Sequence, residues 1–347
     1  MEHVGMDLGK RDSQIAILTE EGELIERRVR TERARLVDVF GGRPKARILV
    51  EASTESEWVA CCLEELGHEV IVGDPNYAPM YAERTRRIKT DRRDARALVH
   101  ACKLGTYRPA HRTSPDRRHL RALVAVREAL VGTRAAWISR LQPLLRREGL
   151  RLRSGAPETF VQRVEELTLP APLRTAIAPL LGLFAPLNEQ IRAMDEALEH
   201  VVAGNEVASR LTTVPGVGPV ISTTFIAIVD DVARFRGAHQ LEAYLGLVPS
   251  EWSSSEAQRR GHITKAGNGR MRRLLVQGAW CILRRRKKPE TAALREWAER
   301  IASRRGRPIA AVALARRLAG ILFAIWRDGT VYETSKVRGL RPAAAVV

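Results

Sequence analysis

Over its first hundred residues the chain repeatedly runs through a short β-branched stretch and stops on a carboxylate, a pattern that restricts the fold more than any other feature. The run His3-Val4-Gly5-Met6-Asp7 stops at Asp7. After Leu8-Gly9-Lys10 a second strand-like stretch, Gln14 to Leu18, follows as a hairpin would place it, and a third lies near Leu24 to Val29. Ile48-Leu49-Val50-Glu51 ends on Glu51, and Glu69-Val70-Ile71-Val72-Gly73 stops at Asp74-Pro75. Helical patterns near Glu32 to Phe40 and Glu55 to Leu66 separate the later runs. A three-stranded meander followed by strand and helix units predicts an α/β domain with helices packed on a mixed sheet. Its carboxylates should gather at one edge.

Two further acids, Asp91 and Asp94, open a helical stretch that continues to Leu98, and their spacing of three puts them on one helical face. Hard divalent cations such as Mg²⁺ take oxygen ligands, a few carboxylates completed by water and substrate phosphate. Asp7, Glu51, Asp91 and Asp94 together could hold a two-ion Mg²⁺ site for in-line attack at a phosphodiester. Taken singly, each fits an ordinary turn former or helix cap equally well. The joint pattern carries the expectation.

With 58 Lys and Arg against 40 Asp and Glu in 347 residues, the formal charge is +18. Such a field concentrates polyanions, and each phosphate neutralised adds affinity through counterion release. The cations cluster at Arg84 to Arg93, Arg146 to Arg153, Arg284 to Lys288 and Arg304 to Arg307. Any one cluster reads as a solvated face; several beside a carboxylate quartet favour nucleic acid as partner. Cys61, Cys62, Cys102 and Cys281 form no CxxC pair and read as reduced thiols. No signal peptide is expected, and the longest apolar stretch, Ile309 to Trp326, is broken by Arg316 and Arg317, so it should be a buried or amphipathic helix. The expectation is a cytoplasmic protein without a membrane partner.

From Pro115 onward Leu120, Leu123, Val124, Val126, Leu130, Trp137, Leu141 and Leu144 recur at helical spacing, with Pro143 expected to interrupt the helix. A second helical stretch, Leu187 to Val202, suggests an antiparallel pair, either a subdomain core or a dimerising coiled coil. The turn Val214-Pro215-Gly216-Val217-Gly218-Pro219 precedes an apolar helix, and Gly216 and Gly218 could expose backbone N–H groups to phosphate. Further on, Ser253, Ser254 and Ser255 lie near Arg259, Arg260 and Lys265, ahead of a basic helix with Arg270, Arg272 and Arg273. A serine there could be a nucleophile in a phosphate-binding setting, or the stretch could be a linker loop or cap.

These segments resemble a known family. Gly5-Met6-Asp7-Leu8-Gly9-Lys10, Val50-Glu51-Ala52-Ser53 and Lys89-Thr90-Asp91-Arg92-Arg93-Asp94-Ala95 resemble the acidic motifs of the insertion-sequence-110 family of DEDD transposases, the bridge-RNA-guided recombinases. Val214 to Gly218, Gly246-Leu247-Val248-Pro249 and Ile263 to Asn268 are similar to its C-terminal transposase domain, so the resemblance covers nearly the whole chain. It implies an N-terminal domain of resolvase-like RNase H fold, a helical coiled-coil connector and a mostly helical C-terminal domain bearing a nucleophilic serine. Matching the family's Ser-Gly pair by its distance from the Gly-Leu-x-Pro motif places that serine at Ser254. Here Ser255 replaces the glycine and Ser253 precedes it, so the choice among the three stays open with Ser254 preferred. The resemblance also implies donor and target DNA and a structured noncoding bridge RNA that reads sequence by base pairing.

The expected organisation is a catalytic domain at 1–112, a connector at 113–205, a transposase domain at 206–335 and a tail at 336–347. Because the serine lies far along the chain from the quartet, one active site can be completed by two subunits of a dimer or tetramer. Two rivals remain: a junction-resolvase-like nuclease in which water attacks, and a nucleic-acid-binding protein without catalysis. The first needs the carboxylates and not Ser254; the second needs neither.

Overall fold

The computed structural model of the chain describes residues 1–82, 90–254, 257–284 and 289–334, and of 252–254 and 257–260 only the backbone. Lys89, Ser255, the tail at 336–347 and most of the basic runs near 84–89 and 285–288 therefore lie outside the described residues. The chain divides into two compact units, Met1–Thr113 and Ser114–Val347.

In the first unit the three early strands, β1 (His3–Leu8), β2 (Asp12–Leu18) and β3 (Leu24–Arg30), form the expected antiparallel meander. After helix α1 (Arg33–Phe40), strand β4 (Arg47–Glu51) pairs parallel with β1; after α2 (Ser56–Glu65), strand β5 (Glu69–Gly73) pairs parallel with β4. The sheet order is β3-β2-β1-β4-β5. Successive strand residues face opposite sides. Val4, Met6, Ile48 and Val50 pack with Leu36, Phe40, Val59 and Leu63 of α1 and α2. Helix α3 (Asp91–Leu104) covers the other face, where Leu49 meets Leu98, Ala101 and Cys102, and Ala16 meets Ala95 and Val99.

Position 5 has to be glycine for that packing. A Cβ there would lie 2.2 Å from the Val99 nitrogen and 2.4 Å from the Ala95 carbonyl oxygen, so α3 rests directly on the β1 backbone. Gly105, at φ +67°, ends the helix in a left-handed cap.

The second unit opens with α4 (Pro115–Arg147), which runs through Pro143 rather than ending there. A proline deletes only its own N–H bond, here to the exposed Ser139, while Leu141 and Leu145 stay buried with Phe160 and Phe184 on either side of it. The helices α5 (Phe160–Glu165) and α6 (Ala171–Gly182) lead back to α7 (Phe184–Ala203). Arg127 meets Asp195 (2.8 Å), Arg134 meets Asn188 (2.9 Å), and Trp137 stacks edge-on against Phe184 at 5.5 Å. Numbers that rise on one helix fall on the other, so the pair is antiparallel as expected.

Helices α8 (Glu206–Thr212), α9 (Pro219–Val229) and α10 (Ala238–Tyr244) follow, then a hairpin of β6 (Pro249–Ser254) and β7 (Ala257–Ile263). The serine-rich stretch, for which a linker loop or cap was one of the two sequence alternatives, is strand up to Ser254. Helices α11 (Gly269–Arg284), α12 (Ala292–Arg305) and α13 (Arg307–Asp328) complete the unit. Among the described residues α13 alone is long and apolar enough to cross a membrane, but it packs against α8, α10, α11 and α12 as a core helix. Its two arginines are absorbed there: Arg316 pairs with Glu242 at 2.5 Å and Arg317 lies 4.5 Å over the Trp297 ring.

Candidate active site

Strand parity puts two of the four acids on the same side. Gly5 faces α3, so Asp7, two residues on, faces the same way, as does Glu51, two residues after Leu49. The β1–β4 register runs to the pair Met6 and Val50, so Asp7 and Glu51 are the next residues of two adjacent parallel strands. Helix α3 runs against the strand direction. Cys102, near its end, donates to the Arg47 carbonyl (3.3 Å) and lies 3.8 Å from His3 Nδ1, at the beginnings of β4 and β1. Its first turn therefore reaches the strand ends that carry Asp7 and Glu51.

Asp94, in that first turn, is only 3% exposed. A carboxylate held so deep is costly unless a partner or cation shares its charge. Asp91 is exposed at the first helical position. It is not the cap: Thr90 takes that role, its hydroxyl oxygen accepting from the Arg93 N–H at 3.3 Å. The helix N-terminus adds a positive partial charge beside the acids.

The donor chemistry fits hard cations, since all four groups are carboxylates. The side chains themselves are not drawn together: among the described residues no three His, Cys, Asp or Glu side chains converge as a ready cluster for a metal ion. Glu51 is instead held by the Tyr81 hydroxyl, which donates to its carboxylate. Sequence reasoning did not find Tyr81, and nothing in its spacing signals it.

Glu26 was also missed. It pairs with Ala16 in the β2–β3 register, which places it on the α3 face, and it forms ion pairs with Arg92 and Arg96 (2.5 Å to Arg96). Hydrogen bonds from Arg96 and then Arg92 pull its carboxyl down to about 2. This clamp ties the first two turns of α3 to the edge strand. The spacing of Arg92 and Arg96 by four could have suggested a common partner.

In the second unit the motifs flanking the serines prove to be the base of the β6–β7 hairpin. Gly246 (φ +69°) lies so close to Ala266 that a Cβ would come within 2.0 Å of its carbonyl oxygen, and Gly267 (φ +91°) stands likewise 1.9 Å from the Tyr244 oxygen. Thr264 N–H donates to Val248 (2.9 Å) and Lys265 N–H to Gly246 (3.2 Å), with Lys265 itself in the left-handed region at φ +55°. Asn268 caps α11 by accepting from Met271 N–H at 2.9 Å. Ser254 pairs with Ala257 and Ser253 with Gln258 at the far end of the hairpin. The side chains of Ser253, Ser254, Arg259 and Arg260 lie outside the described part.

Of the other expected phosphate contacts, Arg270 and Arg273 both pair with Glu128 of α4, and Arg272 donates to the Leu245 carbonyl (3.0 Å). Gly216, at φ +80°, packs on α11, where a Cβ would lie 2.8 Å from the Gly278 oxygen. Gly218 is the residue that precedes α9, with open space around it. The cysteines are free, and burial pushes the Cys102 thiol up to about 11.

Two family models match the chain. The IS110 DEDD model, described as a transposase, matches residues 4–148, and the model of the transposase IS116/IS110/IS902 family matches residues 208–295. A probable family 20 transposase of Pseudomonas aeruginosa is 30% identical over 339 residues, covering 96% of this chain and 99% of its own. The transposase for insertion sequence element IS1111A of Coxiella burnetii is 28% identical over 336 residues, 95% of this chain and 91% of its own. The transposase for insertion sequence element IS1328 of Yersinia enterocolitica is 28% identical over 338 residues, with 95% and 98% covered.

Proposed function

Since the chain belongs to the IS116/IS110/IS902 family of transposases, enzymes of DNA strand cleavage and transfer, we propose that it breaks and rejoins DNA with a serine nucleophile, Ser254, assisted by divalent cations at Asp7, Glu51, Asp91 and Asp94. The observation that carries this reading is the placement of Asp7 and Glu51 at neighbouring strand ends on the face where Asp94 is buried. The strand order, a meander extended by two parallel strands, supports an RNase H-like catalytic domain. We keep 113–205 as a coiled-coil connector and 206–335 as the serine-bearing domain.

Bound Mg²⁺, taken as two ions, would polarise the scissile phosphate and stabilise charge on the attacking and leaving oxygens. Tyr81 would orient Glu51 for that task. In the cleavage step the serine Oγ forms a bond to phosphorus as a deoxyribose oxygen leaves and takes a proton. The phosphodiester energy stays in the serine ester, so a DNA hydroxyl can reverse the attack and rejoin strands without a nucleotide cofactor. Gly218, Lys265, Arg259, Arg260 and the arginines of α11 would contact backbone phosphates, and a structured RNA would read sequence by pairing. The working form in this reading is a homo-oligomer.

A serine that attacks DNA leaves protein joined to a DNA end. A reaction quenched in denaturant should therefore contain a DNA-linked peptide bearing Ser254, absent from Ser254→Ala. An adduct persisting in that variant assigns attack to Ser253, Ser255 or another residue. Cleavage by the wild type with no adduct at all would make water the nucleophile and the resolvase-like rival correct.

A further inference from the structure

The distal end of the helix pair is a rigid basic turn that its own unit does not use. Helix α4 ends in a glycine turn: Gly149, at φ +73°, donates its N–H to Arg146 (3.0 Å), and Leu150 N–H donates to Leu145 (3.0 Å). These two hydrogen bonds occupy the Leu145 and Arg146 carbonyls in the last turn of the helix. Beyond it the buried Arg163 guanidinium donates to the carbonyls of Arg153 (2.7 Å), Ala156 (2.9 Å) and Thr159 (3.3 Å). Gly155 lies so near Arg163 that a Cβ would come within 2.8 Å of its Nε. The backbone and Arg163 thus hold the turn without help from the exposed arginines.

Those arginines are left facing solvent. Arg146, Arg147 and Arg151 are exposed, and among the described residues their side chains make no ion pair or hydrogen bond; Arg153 reaches Glu166 at 2.8 Å. A cavity of about 580 Å³ opens beside Gln142, Arg146, Gly149 and Arg151. Capping the helix end is the bland role for such cations, but backbone N–H groups already take the Leu145 and Arg146 carbonyls, and among the described residues the three side chains bond to no carbonyl. No aromatic residue lies between positions 142 and 156, so the turn has nothing on which to stack an unpaired base. Guanidinium forks without aromatic partners suit phosphate oxygens.

We infer that this turn grips the phosphate backbone of duplex DNA without reading sequence. The inference rests on the transposase reading for the presence of DNA and adds to it a contact surface. From Glu128, which Arg270 and Arg273 engage, to Arg147 the helix rises about 28 Å at 1.5 Å per residue. A duplex lying along α4 would meet the turn about 8 base pairs beyond that point, at 3.4 Å per pair.

The test measures binding of the full-length protein to a duplex of arbitrary sequence about 40 base pairs long, far beyond the reach of α4, across a range of salt. Replacing Arg146, Arg147 and Arg151 together by Gln should reduce the slope of log K against log salt by about 2.7, at about 0.9 per phosphate. Lys at the same three positions should restore it. An unchanged slope in the Gln protein with an unchanged unfolding temperature overturns the proposal, and so does a loss confined to an RNA duplex. Metal-dependent DNA cleavage by the wild type, abolished in Asp94→Asn, reports separately on the transposase reading.

Discussion

A single missing Cβ decides where the acids of the first unit can act. Gly5 lets α3 touch the β1 backbone, and from that contact follow the depth of Asp94 and its position over the strand ends. In Gly5→Ala the new methyl would stand 2.2 Å from the Val99 nitrogen, so the helix must retreat. Overpacking of this kind costs about 1–3 kcal/mol. The unfolding free energy should fall by that amount, and DNA cleavage should fall more steeply than DNA binding because Asp94 moves with the helix. Wild-type stability in this variant would show that the contact is not tight. A glycine inside a strand is a visible signal of close backbone approach, so this residue was open to sequence reasoning. Tyr81 was not, because a side chain that reaches across a sheet edge leaves no periodicity.

At the scale of elements, alternation made β1 to β5 and the helices between them readable, since one buried face per strand fixes both type and register. It failed at β6 and β7, where serines, arginines and a register irregularity between Pro249 and Glu251 hide the period of two. It also misjudged α4, whose buried Leu141 and Leu145 carry the helix past Pro143. The seat of α3 is set by packing and by the Glu26 clamp. Glu26 is held at about 2 against an ordinary 4.5 by hydrogen bonds from Arg96 and Arg92. Because the folded value is the lower, this stabilisation is complete above pH 4.5 and is lost as pH falls toward 2. Both arginines are largely exposed, which limits the contribution through solvent screening. The drop in unfolding temperature between pH 6 and pH 3 should be smaller in Glu26→Gln than in the wild type. Equal drops would remove the clamp from the account.

For the whole molecule, charge indicated nucleic acid and the resemblance of the acidic and Gly-Leu-x-Pro motifs indicated the transposase family before any fold was known, and the family matches at 4–148 and 208–295 bear the family out. What stayed hidden is chemical detail that spacing cannot encode: which of three adjacent serines would attack in the proposed reaction, and how the four carboxylates would turn toward one phosphate. The two units, Met1–Thr113 and Ser114–Val347, each supply one half of the proposed chemistry. The central claim is that the acids at the β1 and β4 ends and at the start of α3 make the catalytic centre. Its most direct test is divalent-cation-dependent cleavage of element-end DNA by Asp94→Asn, which keeps the size of a buried side chain while removing its charge. Unchanged DNA binding and folding are expected, with cleavage reduced by at least about a hundredfold, the scale of losing one main electrostatic group from an active site. Cleavage at the wild-type rate would contradict it.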